Sequence, residues 1–254
     1  MMPTQAIFVL GPAGSGKTSL VGGFGRWVAE EFNLSVSFVN LDPAVEHLPY
    51  SPDFDVRDFI SVKDIMVKEG LGPNGAILRS MDMLAEMSEV IVKALKKLRS
   101  DIMFVDTPGQ SELFVFRDSG PKLIKAFKRF SIPIALFLNE STLTHKVKEA
   151  TITYLMSLIV RLRLDIPVLP VVSKSDLLSD TSTHNFPDEL STLSLKLRSE
   201  GEDLLSEFMN DLLTVVKHYA IPTRLVKVSV ITREGFEDLY ALIHEVFCAC
   251  GDLT

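Results

Sequence analysis

Cysteine is nearly absent from this 254-residue chain, which has only Cys248 and Cys250. One residue apart and near the C-terminus, they cannot join distant segments by a disulfide, and they are expected to be reduced thiols. As metal ligands they would make half a set, with only His244 nearby to extend it. Basic residues are in deficit: 26 Lys and Arg against 33 Asp and Glu leave a formal charge of −7. That balance argues against general attraction to nucleic-acid phosphates or anionic lipid, so no direct nucleic-acid or membrane partner is expected. Long hydrophobic runs are missing too, and no stretch approaches a membrane span. The opening MMPTQAIFVL lacks a basic segment, a long apolar stretch and a cleavage site, so a cytoplasmic location is expected.

What the chain does have is apolar residues, 46% of the total, ample for a core of this size. Short β-rich runs, QAIFVL, SVSFVN, DIMFVD, IPIALFL, IPVLPVV and RLVKVSV, alternate with segments of helical period. This is the rhythm of a parallel sheet with helices on both faces. Three of the runs are apolar throughout, as expected of strands buried on both sides. The expected architecture is a single three-layer α/β domain, 1–254, with a mostly parallel central sheet. Two connections exceed the usual length and read as helical insertions, at about 43–99 and about 177–222. The first holds the turn-rich Leu71-Gly72-Pro73-Asn74-Gly75 and then a helical pattern over 76–98. The second has a polar turn over 180–187 and a helical stretch over 189–219, which Gly201 interrupts. The last helical segment, from 236, carries one apolar stripe opposite Glu237, Asp238 and Glu245, so it is expected to pack on the sheet.

Gly11-Pro12-Ala13-Gly14-Ser15-Gly16-Lys17-Thr18 matches the phosphate-loop pattern at every fixed position and lies between a strand and a helix. Its glycines let successive N–H groups turn inward at phosphate oxygens, backed by the helix N-terminus, so 13–19 from Ala13 through Ser15 to Ser19 are the expected phosphate binders. Lys17 is expected to reach the β- and γ-phosphates, and Thr18 to ligate Mg²⁺. Pro12 stands where partitioning ATPases carry a second lysine, which disfavours that branch. The run Ile102 to Val105 ends in Asp106-Thr107-Pro108-Gly109-Gln110. Asp106 can hold Mg²⁺ through water and the Gly109 N–H can sense the γ-phosphate, although Asp-x-Pro-Gly is also a common loop. After Val172 comes Ser173-Lys174-Ser175-Asp176, similar to the Asn-Lys-x-Asp element with which GTPases read guanine. Asp176 can accept from N1–H and the exocyclic amine, a pair of donors that adenine lacks, and Lys174 can cover the ring. Ser173 is shorter than the usual Asn. Ser229 and Val230 stand at the end of the last strand, where GTPases set a backbone N–H against the guanine oxygen.

In this order, and with Gly72-Pro73-Asn74 between the first two elements, the chain resembles the GPN-loop GTPases, in a compact form like that of archaeal members. The resemblance also covers Asn40-Leu41-Asp42, the segment 106–112 and the ending from Thr232 to the Cys-x-Cys. It implies a P-loop fold, GTP and GDP as ligands with Mg²⁺, and hydrolysis of GTP to GDP and phosphate. It further implies a homodimer in which Gly72, Pro73 and Asn74 act across the two-fold axis at the other subunit's phosphates or attacking water. Asp42 would act near Mg²⁺ and that water, and Gln110 and Glu112 would help to position it. On the residues alone, Gly72-Pro73-Asn74 is equally an ordinary turn, and Asp42 equally opens a turn with Pro43. Eukaryotic relatives are associated with RNA polymerase assembly, which implies a GTP-driven switch acting on a protein client. Two other readings are a small-molecule kinase, disfavoured because no Arg-rich lid is visible, and a nucleotide-gated metallochaperone using Cys248 and Cys250.

Overall fold

The computed structural model describes residues 3–141, 147–177, 204–219 and 226–251. Seven strands form one sheet in the order β3-β2-β4-β1-β5-β6-β7 with flanking helices, and the expected α/β fold is what is found. The chain falls into two compact units, residues 1–136 with 163–167 and residues 137–162 with 168–254.

The first unit holds β1 (Thr4–Leu10), α1 (Lys17–Phe32), β2 (Val36–Asn40), β3 (Phe54–Asp55), α2 (Val62–Glu69), α3 (Pro73–Glu86), α4 (Ser88–Leu95), β4 (Ile102–Asp106), α5 (Ser111–Phe116) and α6 (Ser119–Phe127). β5 (Ser131–Glu140) begins there. Pairing is parallel, with Val9 and Asn40 both opposite Asp106. Three strands therefore end side by side, and the segments that leave them emerge at one sheet edge. That edge, beyond the carboxyl ends of parallel strands, is where such folds place their ligands. Every residue of β4 is buried, and the core is aromatic: Phe8 meets Phe127 edge-on at 4.8 Å and Phe24 meets Phe104 at 5.6 Å. α1 lies so close to the sheet that a Cβ on Gly25 would fall 2.4 Å from the Phe38 ring, a contact only glycine permits.

The second unit holds the end of β5, α7 (Val147–Leu164) up to Leu162, β6 (Val168–Ser173), α8 (Leu204–Tyr219), β7 (Val226–Val228) and α9 (Phe236–Gly251). β6 is wholly buried. Ser173 lies opposite Val228 in a parallel pair, so the turns after β6 and β7 also leave from one edge. Phe236, Leu239 and Ile243 of α9 are each at most 1% exposed, so the apolar stripe packs inward as expected.

Four expectations change. β3, two residues long, is an edge strand inside the first insertion, too short to show a period. The pattern over 76–98 is two helices, because Met87, with φ −91° and ψ 4°, leaves helical geometry between them. The apolar spacing continues across that break and conceals it. Gly72-Pro73-Asn74 is not a free turn but the start of α3, with Gly72 as N-cap and Pro73 in the first turn, where its fixed φ suits a helix and its missing N–H costs nothing. The last strand ends at Val228 and not at Val230, which lies in the following turn. The polar turn over 180–187 and Gly201 lie outside the described residues.

Candidate active site

β1 delivers the chain into Gly11, and the loop turns back through Gly14 and Gly16, with φ of 80° and 90°. Any side chain there would be strained. Gly16 is the N-cap of α1 and no side chain caps that helix, so its first N–H groups face the loop, as an anion site requires. Ala13, Gly14 and Ser19 are exposed, while Ser15 and Lys17 are buried. The Gly11 N–H donates to Ser111 Oγ at 2.9 Å, which ties the loop to the start of α5. Lys17 Nζ donates to the carbonyls of Gly11, Pro12 and Gly109, each at 2.8 Å. Burial lowers its pKa, and the carboxylates of Asp106, Asp42 and Glu112 oppose the shift. The sequence places Lys17 at phosphate oxygens; here its ammonium is also the clamp between the phosphate loop and the Asp106–Gly109 turn.

Asp42 joins the same assembly from β2. Its Oδ2 accepts from the Gly109 N–H at 2.9 Å and its Oδ1 from the Ala44 N–H at 2.8 Å. Asn40 orients it, with Oδ1 accepting from the Asp42 N–H at 2.9 Å and Nδ2 donating to Asp55 Oδ1 at 2.9 Å. Burial raises the Asp42 pKa against these N–H bonds and Lys17. Asp106 is fully buried, and burial pushes its carboxyl up to about 6 despite the Thr18 and Tyr50 hydroxyls beside it. Tyr50 Oη donates to Asp106 Oδ2 at 2.9 Å, whereas Oδ1 has no hydrogen-bond partner among the described residues. A buried carboxylate oxygen without a donor is costly unless a cation or water meets it. Gln110 and Glu112 are exposed at the start of α5. Asn74 is exposed at the start of α3, and no hydrogen bond of its side chain is found among the described residues.

In the second unit Lys174 takes a left-handed backbone, φ 57°, and its ammonium pairs with Glu140 at 3.1 Å. Asp176 Oδ1 accepts from Ser229 Oγ at 2.6 Å. That hydroxyl in turn accepts from the N–H groups of Ile231 and Thr232, both at 3.2 Å. Ser175 Oγ donates to Glu234 Oε2 at 3.2 Å. The Ser229 N–H donates to the Glu234 carbonyl at 3.1 Å, whereas no hydrogen bond of the Val230 N–H is found among the described residues. Cys248 is exposed, with Sγ 3.5 Å from His244 Nδ1. Among the described residues no group of three or more His, Cys, Asp or Glu is placed to hold a metal, and no helix is long and apolar enough to cross a membrane.

Sequence reasoning missed Tyr50, Ser111 and Asn40 as partners of the site. Asn40 lies in a segment already singled out. Ser111 lies in another, 106–112, although it is 100 residues from the loop that it holds, whereas Tyr50, 56 residues from Asp106, carries no pattern.

A glycine loop opening a helix, a buried lysine and two buried aspartates at the ends of parallel strands define a P-loop nucleotide-hydrolase site. A family model described as "Conserved hypothetical ATP binding protein" matches residues 9–249. GPN-loop GTPase PAB0955 of Pyrococcus abyssi is 38% identical over 98% of this chain and 99% of its own. GPN-loop GTPase QQT2 of Arabidopsis thaliana is 28% identical over 92% of this chain but 62% of its own. The crystal structure of PAB0955, a GTPase in apo form, superposes with a TM-score of 0.84 at 33% identity, covering 98% of this chain and 100% of that one. The chain belongs to the GPN-loop GTPase family.

Proposed function

We propose that this GTPase binds Mg²⁺–GTP, hydrolyses it as a homodimer, and uses the resulting change of state to assist assembly of a protein complex in the cytoplasm. The observation that carries the reading is the cluster at three strand ends in which direct hydrogen bonds join Lys17 to Gly109 and Gly109 to Asp42, with the buried Asp106 carboxylate at the end of β4. The residues fit a divalent cation: Asp106 offers a buried oxygen without a donor, with the Thr18 hydroxyl beside it. Thr18 and Asp106 would hold the ion, with Asp42 near it. When bound, Mg²⁺ neutralises charge on the β- and γ-phosphates. The phosphate loop and Lys17 orient the chain of phosphates, Asp42, Gln110 and Glu112 position water, and Asp176, Lys174, Ser173 and Val230 hold guanine. Positioning and charge neutralisation suffice here, because phosphoryl transfer to water needs little covalent help from the protein.

The switch rests on one hydrogen bond. Gly109 N–H is held by Asp42 Oδ2 at 2.9 Å, so a γ-phosphate that takes this donor releases the Asp42 carboxylate, and loss of the phosphate restores the bond. That exchange gives the two nucleotide states different contacts, as any ligand-driven switch requires.

Tyr50→Phe removes the hydroxyl that fixes Asp106 and leaves the ring in its stack on Phe38, 5.3 Å between centroids. Mg²⁺ affinity in the presence of GDP is expected to fall roughly tenfold, read by Mg²⁺ titration of nucleotide release. An unchanged titration would remove Tyr50 from the site.

The dimer is tested by mixing subunits. Asn74→Ala is expected to slow cleavage by roughly a hundredfold without weakening GTP binding, the scale of one lost transition-state donor. Mixed with an inactive Lys17→Ala partner, it should regain activity, because each mixed dimer pairs an intact site with an intact Asn74 from the other chain. If Asn74 acts within its own chain, mixing restores nothing.

A further inference from the structure

Asn139, at the end of β5, is 3% exposed, and neither Oδ1 nor Nδ2 has a hydrogen-bond partner among the described residues. An amide buried in that way is worse than an apolar side chain of the same size unless something else pairs with it. Its place in the second unit indicates what does. Ser173 Oγ donates to the Asn139 carbonyl at 3.3 Å, Ser141 Oγ donates to the Lys174 carbonyl at 2.7 Å, and Glu140 pairs with Lys174 at 3.1 Å. Residues 139, 140 and 141 are thus each fastened to the Ser173–Lys174 turn, and the residue that carries the unpartnered amide is joined through its own carbonyl to Ser173. In this motif Ser173 occupies the position where an Asn is usual, and it is one amide short of that residue's reach.

We infer that Asn139 is a base-recognition residue, supplying from the neighbouring strand the amide that the Ser-Lys-x-Asp turn lacks, with its Nδ2 donating to the O6/N7 edge of bound guanine. Both atoms of that edge accept hydrogen bonds, and an amide NH₂ is a donor matched to them. The inference rests on the guanine reading of the Asp176 turn. It assigns the two edges of the base to different strands: Asp176 takes the N1 and amine edge, Asn139 the edge bearing O6 and N7.

The test is Asn139→Leu, near in volume and without polar atoms, with Asn139→Ala carrying the same comparison should the larger side chain prevent folding. Affinities for GDP and GTP are expected to fall together by about tenfold, KM for GTP to rise, kcat to stay unchanged, and the melting temperature of the nucleotide-free protein to stay level or rise. Inosine diphosphate keeps O6 and N7 but lacks the 2-amine, so the Asn139→Leu penalty should persist with it undiminished. GDP affinity within twofold of wild type makes Asn139 a core residue and overturns the inference. So does a penalty that vanishes with inosine diphosphate, or a loss of kcat at saturating GTP. A wild type that holds ADP as tightly as GDP refutes the guanine reading itself, and Asn139's role with it.

Discussion

Asp106→Asn should lower GTP cleavage by about a hundred- to a thousandfold and at the same time make the nucleotide-free protein more stable at neutral pH. Burial pushes the Asp106 carboxyl up from 3.8 to about 6, so the folded protein holds this proton more tightly than the unfolded chain does. For a carboxyl whose folded pKa is raised, stability is greatest below the unfolded value and is lost as pH rises toward the folded value. Above about pH 6 the full penalty applies, roughly 3 kcal/mol as an upper figure. Asn keeps an acceptor for the Tyr50 hydroxyl and removes the charge. In chelator-treated protein, urea unfolding at pH 5 and pH 7.5 should show the wild type losing stability across that interval by an amount the variant does not lose. Mg²⁺ needs the ionised carboxylate, so its apparent affinity should weaken below about pH 6. A variant no more stable than wild type at pH 7.5, or one that still cleaves GTP normally, would separate Asp106 from the metal.

The second large effect is expected at Asp176. Ser229 Oγ holds one carboxylate oxygen at 2.6 Å, and the proposed reading gives the rest of the group to the base. In Asp176→Asn the amide oxygen keeps the Ser229 bond, so the NH₂ faces the N1–H and amine of guanine, donor against donor. Two charge-assisted hydrogen bonds are lost, and GDP affinity should fall by about a hundredfold or more. Xanthine, with a carbonyl where guanine has its amine, meets that NH₂ properly, and xanthosine diphosphate should displace GDP as the preferred ligand of the variant. Competition binding with the two nucleotides decides it, and an unaltered preference for GDP would move base recognition away from this turn.

Much of the active site was legible because its parts are local. The eight residues from Gly11 to Thr18 form one strand-to-helix turn, and Asp106 with Gly109 or Ser173 with Asp176 each occupy one turn after a buried strand. In such segments spacing along the chain is spacing in the site. The break at Met87 was hidden because a helix can stop and restart without disturbing its apolar period. Tyr50 was hidden for a different reason: a single aromatic in a long insertion looks the same whether it fills the core or donates to an aspartate 56 residues further along the chain.

By itself the sequence determined every strand but the short edge strand β3, since short apolar runs bounded by turns and alternating with helical segments fit a sheet covered on both faces. It also determined the phosphate loop and the family, because these are carried by contiguous residues of restricted chemistry. Tertiary structure alone decided that Val9, Asn40 and Asp106 lie level, so that Asp42, Lys17 and Gly109 meet. It likewise decided that Tyr50 closes on Asp106 and that Asn139 lies beside Ser173. Strand register is set by the packing of the whole core, and contacts between residues 34 to 100 positions apart follow from that register, not from any pattern that neighbours in the chain can display.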